Sequence, residues 1–212
     1  MRKTIPVLLI LFNLFASSCS TGTPPPSTPV VVSVYSTSAA EPWLSTLYDC
    51  AGTTTVLSRV DDSSTADIVL QVGEPEALSV PAFQIDTEEI LIVTHRQSPI
   101  QNLTLDQVQT LFVQGDPSVQ VWVYASDTDV QNAFDQFVMK GRGVLPSARI
   151  AVSPQQMSDT LVNEPNAVGI LPRHWKAGDV RDVFSAGTVP VLALTKLEPQ
   201  GAIKELIACL QK

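Results

Sequence analysis

Short apolar runs rich in valine and isoleucine alternate along the chain with segments whose apolar residues fall three or four apart. The first pattern marks buried strands and the second marks helices with one core-facing side. Strands are predicted at 30–35, 53–60, 66–72, 82–85, 90–95, 119–124, 149–152, 167–171 and 189–194. An acidic turn holding Glu88 and Glu89 is expected to separate the fourth from the fifth, with both carboxylates in water. Helices are predicted at 41–49 on Trp43, Leu44, Leu47 and Tyr48, after Asn102-Leu103-Thr104, at 130–140, after Ser153-Pro154, and at 198–210. Thr104 and Ser153 suit the N-cap, where a hydroxyl reaches the free N–H groups of the first turn, and Pro154 suits the position after it. Strands alternating with helices of about ten residues make an α/β chain.

Composition narrows the function. Charged residues are 16% of the 212 and hydrophobic ones 44%, too few charges and too much apolar surface for a disordered chain. Thirteen basic against 21 acidic residues leave −8, which carries no electrostatic footprint for nucleic acid. Three cysteines and two histidines offer little material for a metal or haem site, and no cofactor is implied.

The N-terminus reads as an address. Arg2 and Lys3 precede twelve mostly apolar residues, 5–16. That is too short for a bilayer-spanning helix, which needs about 20, and the right size for a secretory signal. Ser17-Ser18-Cys19 resembles a bacterial lipobox, with Ala16 where leucine is usual. The resemblance implies a signal peptide at 1–18 and acylation of Cys19; plain secretion is the alternative. Losing Arg2 and Lys3 would take the mature chain to −10. Residues 19–29, with three consecutive prolines, read as a tether. In extended form it reaches roughly 30 Å from a membrane. Cys50 and Cys209 then remain, and an oxidising compartment makes them a candidate disulfide; two buried thiols that never meet are the alternative.

Evidence for catalysis is sparse. No nucleophile elbow, zinc-protease motif, phosphate-binding loop or dinucleotide fingerprint occurs. A hydrolase would require His95 or His174 to meet a serine. Two strand-to-helix loops are more suggestive: Ser36-Thr37-Ser38, and Ser126-Asp127-Thr128. In α/β sheets ligands bind beyond the carboxyl ends of strands, and hydroxyls there can hold an anion. Plain helix caps explain the same residues equally well.

Residues 91–112, an apolar strand followed by Ser98-Pro99-Ile100-Gln101-Asn102-Leu103-Thr104 and by Leu105, Gln107, Val108, Leu111 and Phe112, resemble a segment of PstS-like phosphate-binding proteins. Residues 121–138 are similar to the next strand, ligand loop and helix of that family, and Asn166-Ala167-Val168-Gly169-Ile170-Leu171 to a later strand. The resemblance covers about 30–210. It implies a type 2 periplasmic-binding-protein-like fold, with lobe 1 at 30–93 plus 185–212, lobe 2 at 94–184, and a ligand cleft between them. By position it carries ligand contacts onto Ser36, Thr37, Ser38, Ser126, Asp127 and Thr128. It further implies a monomeric, non-catalytic receptor that delivers a small solute to an ABC transporter permease.

Two departures weigh against phosphate as that solute. Asp127 stands where the family has glycine, and Asp129 where an arginine often follows. Carboxylates repel an oxyanion, and without glycine the backbone cannot approach it as closely. The other reading is a degenerate binding-protein fold used as a surface interaction or sensor module. A single undivided sheet with Thr37 and Thr128 on remote surfaces would contradict a cleft.

Overall fold

β-Branched residues crowd neighbouring turns in a helix and pack well on a pleated sheet. The valine- and isoleucine-rich runs accordingly form the sheet of the computed structural model, which describes residues 29–75 and 77–212. The expected signal peptide, the expected lipidation site Cys19 and most of the expected tether lie outside the described residues.

The strands are β1 (Val30–Ser36), β2 (Thr55–Arg59), β3 (Ile68–Val72), β4 (Ala82–His95), β5 (Gln120–Val123), β6 (Arg149–Ile150), β7 (Ala167–Pro172) and β8 (Val180–Thr195). The helices are α1 (Pro42–Ala51), α2 (Leu105–Gln114), α3 (Asp129–Phe134), α4 (Pro154–Asn163) and α5 (Gly201–Leu210). A π-helical turn at Asp135–Met139 extends α3, so the predicted helix at 130–140 is one element with a change of pitch. Thr104 caps α2 in a full capping box with Gln107, and Ser153 caps α4 ahead of Pro154.

All eight strands form one sheet in the order β2-β1-β3-β8-β4-β7-β5-β6. One sheet serves both halves, and the reason lies in its middle. β4 and β8 are long antiparallel strands that run through both halves: β8 pairs β3 through Val191–Thr195, while β4 pairs β7 through Ile90–Thr94. Three register shifts interrupt the β4–β8 ladder, between Gln84 and Asp86, Ile90 and Leu91, and Ile92 and Val93. One half therefore holds β1–β3, α1 and α5; the other holds β5–β7 and α2–α4.

The predicted acidic turn at 86–89 does not form. It is the middle of β4, continuous from Ala82 to His95. Glu88, expected in water, is 1% exposed, because strand alternation points it inward and the His174 ring meets it there. β8 likewise begins nine residues before the predicted 189, at Val180. Its polar first part hides from apolar periodicity; it pairs with β4, and Arg181 donates to the carbonyls of Arg96, Ser98 and Ile100 in the loop that follows β4.

The core is continuous across both halves, with Phe112 and Phe134 fully buried and their rings 4.8 Å apart. Cys50, near the end of α1, and Cys209, in α5, come within bonding distance, with Cα atoms 5.9 Å apart. Both lie in the first half. No helix among the described residues is long and apolar enough to cross a membrane.

Candidate functional site

β1 and β5 each end in a hydroxyl-bearing loop, and the loops lead into α1 and α3. β1 closes with the Thr37 N–H donating to the Leu70 carbonyl, 3.0 Å, which aligns its end with that of β3. From there Thr37 reaches across to the other half. Its Oγ1 donates to Asp129 Oδ2 at 2.6 Å, and the Val72 N–H, at the end of β3, donates to the same oxygen at 3.1 Å. The Val130 N–H donates to Oδ1 at 2.9 Å. A carboxylate carried by the second half is thus held by donors of the first, at the junction expected to hold a solute.

Burial and hydrogen bonding oppose each other at Asp129. Desolvation disfavours its charged form and raises its pKa above the ordinary carboxylate value, while the Thr37 and Val72 donors pull it back. Tyr124, at the foot of the same loop, is buried with no partner for its hydroxyl among the described residues. Burial pushes that phenol well above its usual range, and the Asp129 charge adds to the rise.

The six residues singled out by sequence divide by environment. Ser36 is buried and donates to the Thr37 carbonyl, 2.9 Å. Thr37 is committed to Asp129. Thr128 caps α3, accepting from the Gln131 N–H and donating to the Ala125 carbonyl. Ser38, Ser126 and Asp127 are exposed. Sequence reasoning noted Asp129 only as a departure from a pattern. The signal was available in its place, directly after the cap of a helix that follows a buried strand, but its partners lie 57 and 92 residues away.

Beside the Asp129 contact lies a cavity of about 170 Å³, bordered by Gly73 and Glu74 after β3, Pro190 of β8, and Asp129, Gln136 and Phe137 of the second half. Gly73 makes the turn possible: its φ of +79° is a conformation that a Cβ disfavours, and its N–H donates to the Pro190 carbonyl at 2.7 Å. Among the described residues, two carboxylates and no cation border this space.

A second contact between the halves involves the loop after β1. The Trp175 Nε1–H donates to the Ala39 carbonyl, 3.0 Å. Next to it the His174 ring lies 4.6 Å from Trp43, and Trp43 Nε1 donates to Asp86 Oδ2. His174 Nδ1 is 2.9 Å from Glu88 Oε2. Burial raises the Glu88 pKa, and the histidine partly offsets the rise. His95 Nδ1 accepts from the Gln97 N–H. Among the described residues neither histidine hydrogen-bonds a serine, the contact a serine hydrolase would require. Nor does any cluster of three His, Cys, Asp or Glu residues lie close enough to hold a metal ion, again among the described residues.

No protein-family model matches the chain, and no curated protein sequence does. Solved structures do match. A protein assigned as a phosphate ABC transporter substrate-binding protein, with phosphate bound, from Clostridium perfringens superimposes with a TM-score of 0.74 at 15% identity, over 85% of this chain and 92% of its own. An ABC-type phosphate transport receptor from Vibrio cholerae gives 0.66 at 16%, over 85% and 93%. The C-terminal domain of a LysR-family transcriptional regulator from Rhodococcus gives 0.64 at 13%, over 87% and 100%. Proteins named as transport receptors and a domain of a transcriptional regulator share this architecture. At such identities the likeness speaks for the fold alone: the chain has the type 2 periplasmic-binding-protein-like fold.

Proposed function

We propose that the protein is a lipid-anchored, extracytoplasmic and non-catalytic binding module that receives a small solute between its two halves and presents it to an ABC transporter permease. The observation that carries this reading is the cavity of about 170 Å³ bordered by β3, β8 and the α3 segment, so that elements of both halves would touch one occupant. A solute held this way favours the closed arrangement by its extra contacts, shifting an existing equilibrium. The lipobox-like Ser17-Ser18-Cys19 and the proline-rich segment after it support the anchor. Phosphate is disfavoured, because Glu74 and Asp129 border the space with no cation among the described residues to offset them.

A thermal-shift screen of the purified protein tests this with neutral polar, cationic and anionic solutes. A true solute at a hundredfold excess over its Kd adds about 2.7 kcal/mol of apparent stability. The second reading, an interaction or sensor module that needs no solute, is favoured by the Thr37–Asp129 and Trp175–Ala39 bonds, which join the halves without one. Silence across a broad panel would select it.

A further inference from the structure

We propose that Asp129 is a tethered ligand: its carboxylate fills an oxyanion position made by the first half, so the halves close on a group the protein carries itself. The inference rests on reading the junction as a binding cleft, and it specifies what the native cleft refuses.

Two donors of the first half define the position, and the N–H of the residue after Asp129 completes the carboxylate's contacts. The Thr37 hydroxyl and the Val72 N–H converge on Oδ2, at 2.6 and 3.1 Å, and the Val130 N–H meets Oδ1 at 2.9 Å. The first two belong to β1 and β3 ends that are fixed to each other through the Thr37 N–H and the Leu70 carbonyl. That bond fixes the two strand ends to each other without involving Asp129. Hydroxyl and amide donors converging on one oxygen, with no basic side chain among them, would hold a small free oxyanion by the same contacts. A free anion would lose translational freedom on binding, whereas Asp129 is already attached to the chain. Its high effective concentration keeps it ahead of any dilute competitor. Burial raises the pKa of this carboxyl, and the Thr37, Val72 and Val130 donors act against that rise by stabilising the charged form.

Removing the carboxylate should expose the position. Wild type, Asp129→Gly and Asp129→Asn are compared by thermal shift in formate, acetate, phosphate or sulfate, against chloride of equal ionic strength. Asp129→Gly leaves the donors free and should gain a response to at least one oxyanion, roughly 3–6 °C at tenfold its Kd. Wild type should show none, and Asp129→Asn, which refills the space without charge, should show little. An equal response in wild type would overturn the proposal, since the position would then be open. Absence of any response in Asp129→Gly would overturn it equally. If Asp129→Gly fails to fold, its refolding yield is read instead: recovery with formate but not with chloride supports the proposal, and equal yields refute it. Wild-type indifference to anions is expected here, so the outcome is independent of whether a neutral or cationic solute is found for the cavity.

Discussion

Replacing Thr37 by valine keeps the shape of the side chain and deletes one donor. In the native protein that donor meets a partly buried carboxylate at 2.6 Å. A hydrogen bond to a charged group contributes roughly 1.5–3 kcal/mol, so Thr37→Val should cost about 2 kcal/mol at pH 7. For a chain of this length that corresponds to a Tm lower by roughly 4–8 °C. The cost should depend on pH with a definite sign. The Thr37 bond lowers the Asp129 pKa, so its charge-assisted part is present above the titration and lost as pH falls through it. Burial has already moved that titration above the ordinary value of 3.8. At acid pH only a neutral hydrogen bond remains at stake, about 1 kcal/mol. Urea unfolding of wild type, Thr37→Val, Asp129→Asn and the double variant at neutral and acid pH gives the coupling directly. A penalty below about 0.5 kcal/mol, or one unchanged by pH and by the Asp129→Asn background, would mean that the two residues are adjacent but not coupled.

Asp129→Asn alone should reveal the desolvation cost of the native charge: wild type loses stability relative to it as pH rises from 3.8 through the raised pKa, read as the difference between two urea-derived pH profiles. His174→Ala strips the buried Glu88 of its ring partner and should cost about 2–3 kcal/mol at neutral pH. Adding Glu88→Gln should recover most of that loss in the same unfolding assay, and the loss should shrink toward acid pH because the Glu88 pKa is raised. Removing the Cys50–Cys209 link, by reduction or by Cys50→Ser with Cys209→Ser, releases a sequence separation of 159 residues. The chain-entropy estimate for that loop is about 5 kcal/mol. Urea midpoints with and without reductant measure it, and two free thiols in the denatured, unreduced protein would show that the bond is not made.

Local patterns alone were enough for the elements whose cause is local. Valine-rich runs became β1, β3, β5 and β7, and the spacing of Val108, Leu111 and Phe112 became the buried face of α2. Thr104 and Ser153 cap their helices because a cap needs only a hydroxyl and the next three N–H groups. The α/β class follows from the alternation of such pieces. What no local pattern contained was any pairing that depends on distant partners. Glu88 reads as a solvated acid until His174, 86 residues on, is folded over it. The polar start of β8 has no apolar alternation, and it becomes a strand because β4 lies beside it and Arg181 finds three carbonyls.

The same division runs through the candidate site. The chain's own order identified the hydroxyl loops of Thr37 and Thr128 as strand ends, since that requires only a strand followed by a helix. Whether those hydroxyls wait for a solute or are already spent was decided in three dimensions, by Asp129 arriving between Thr37 and Val72. A hydrogen bond to a carboxylate is short-ranged and directional, so residues 92 positions apart in sequence acquire it only after the halves have docked.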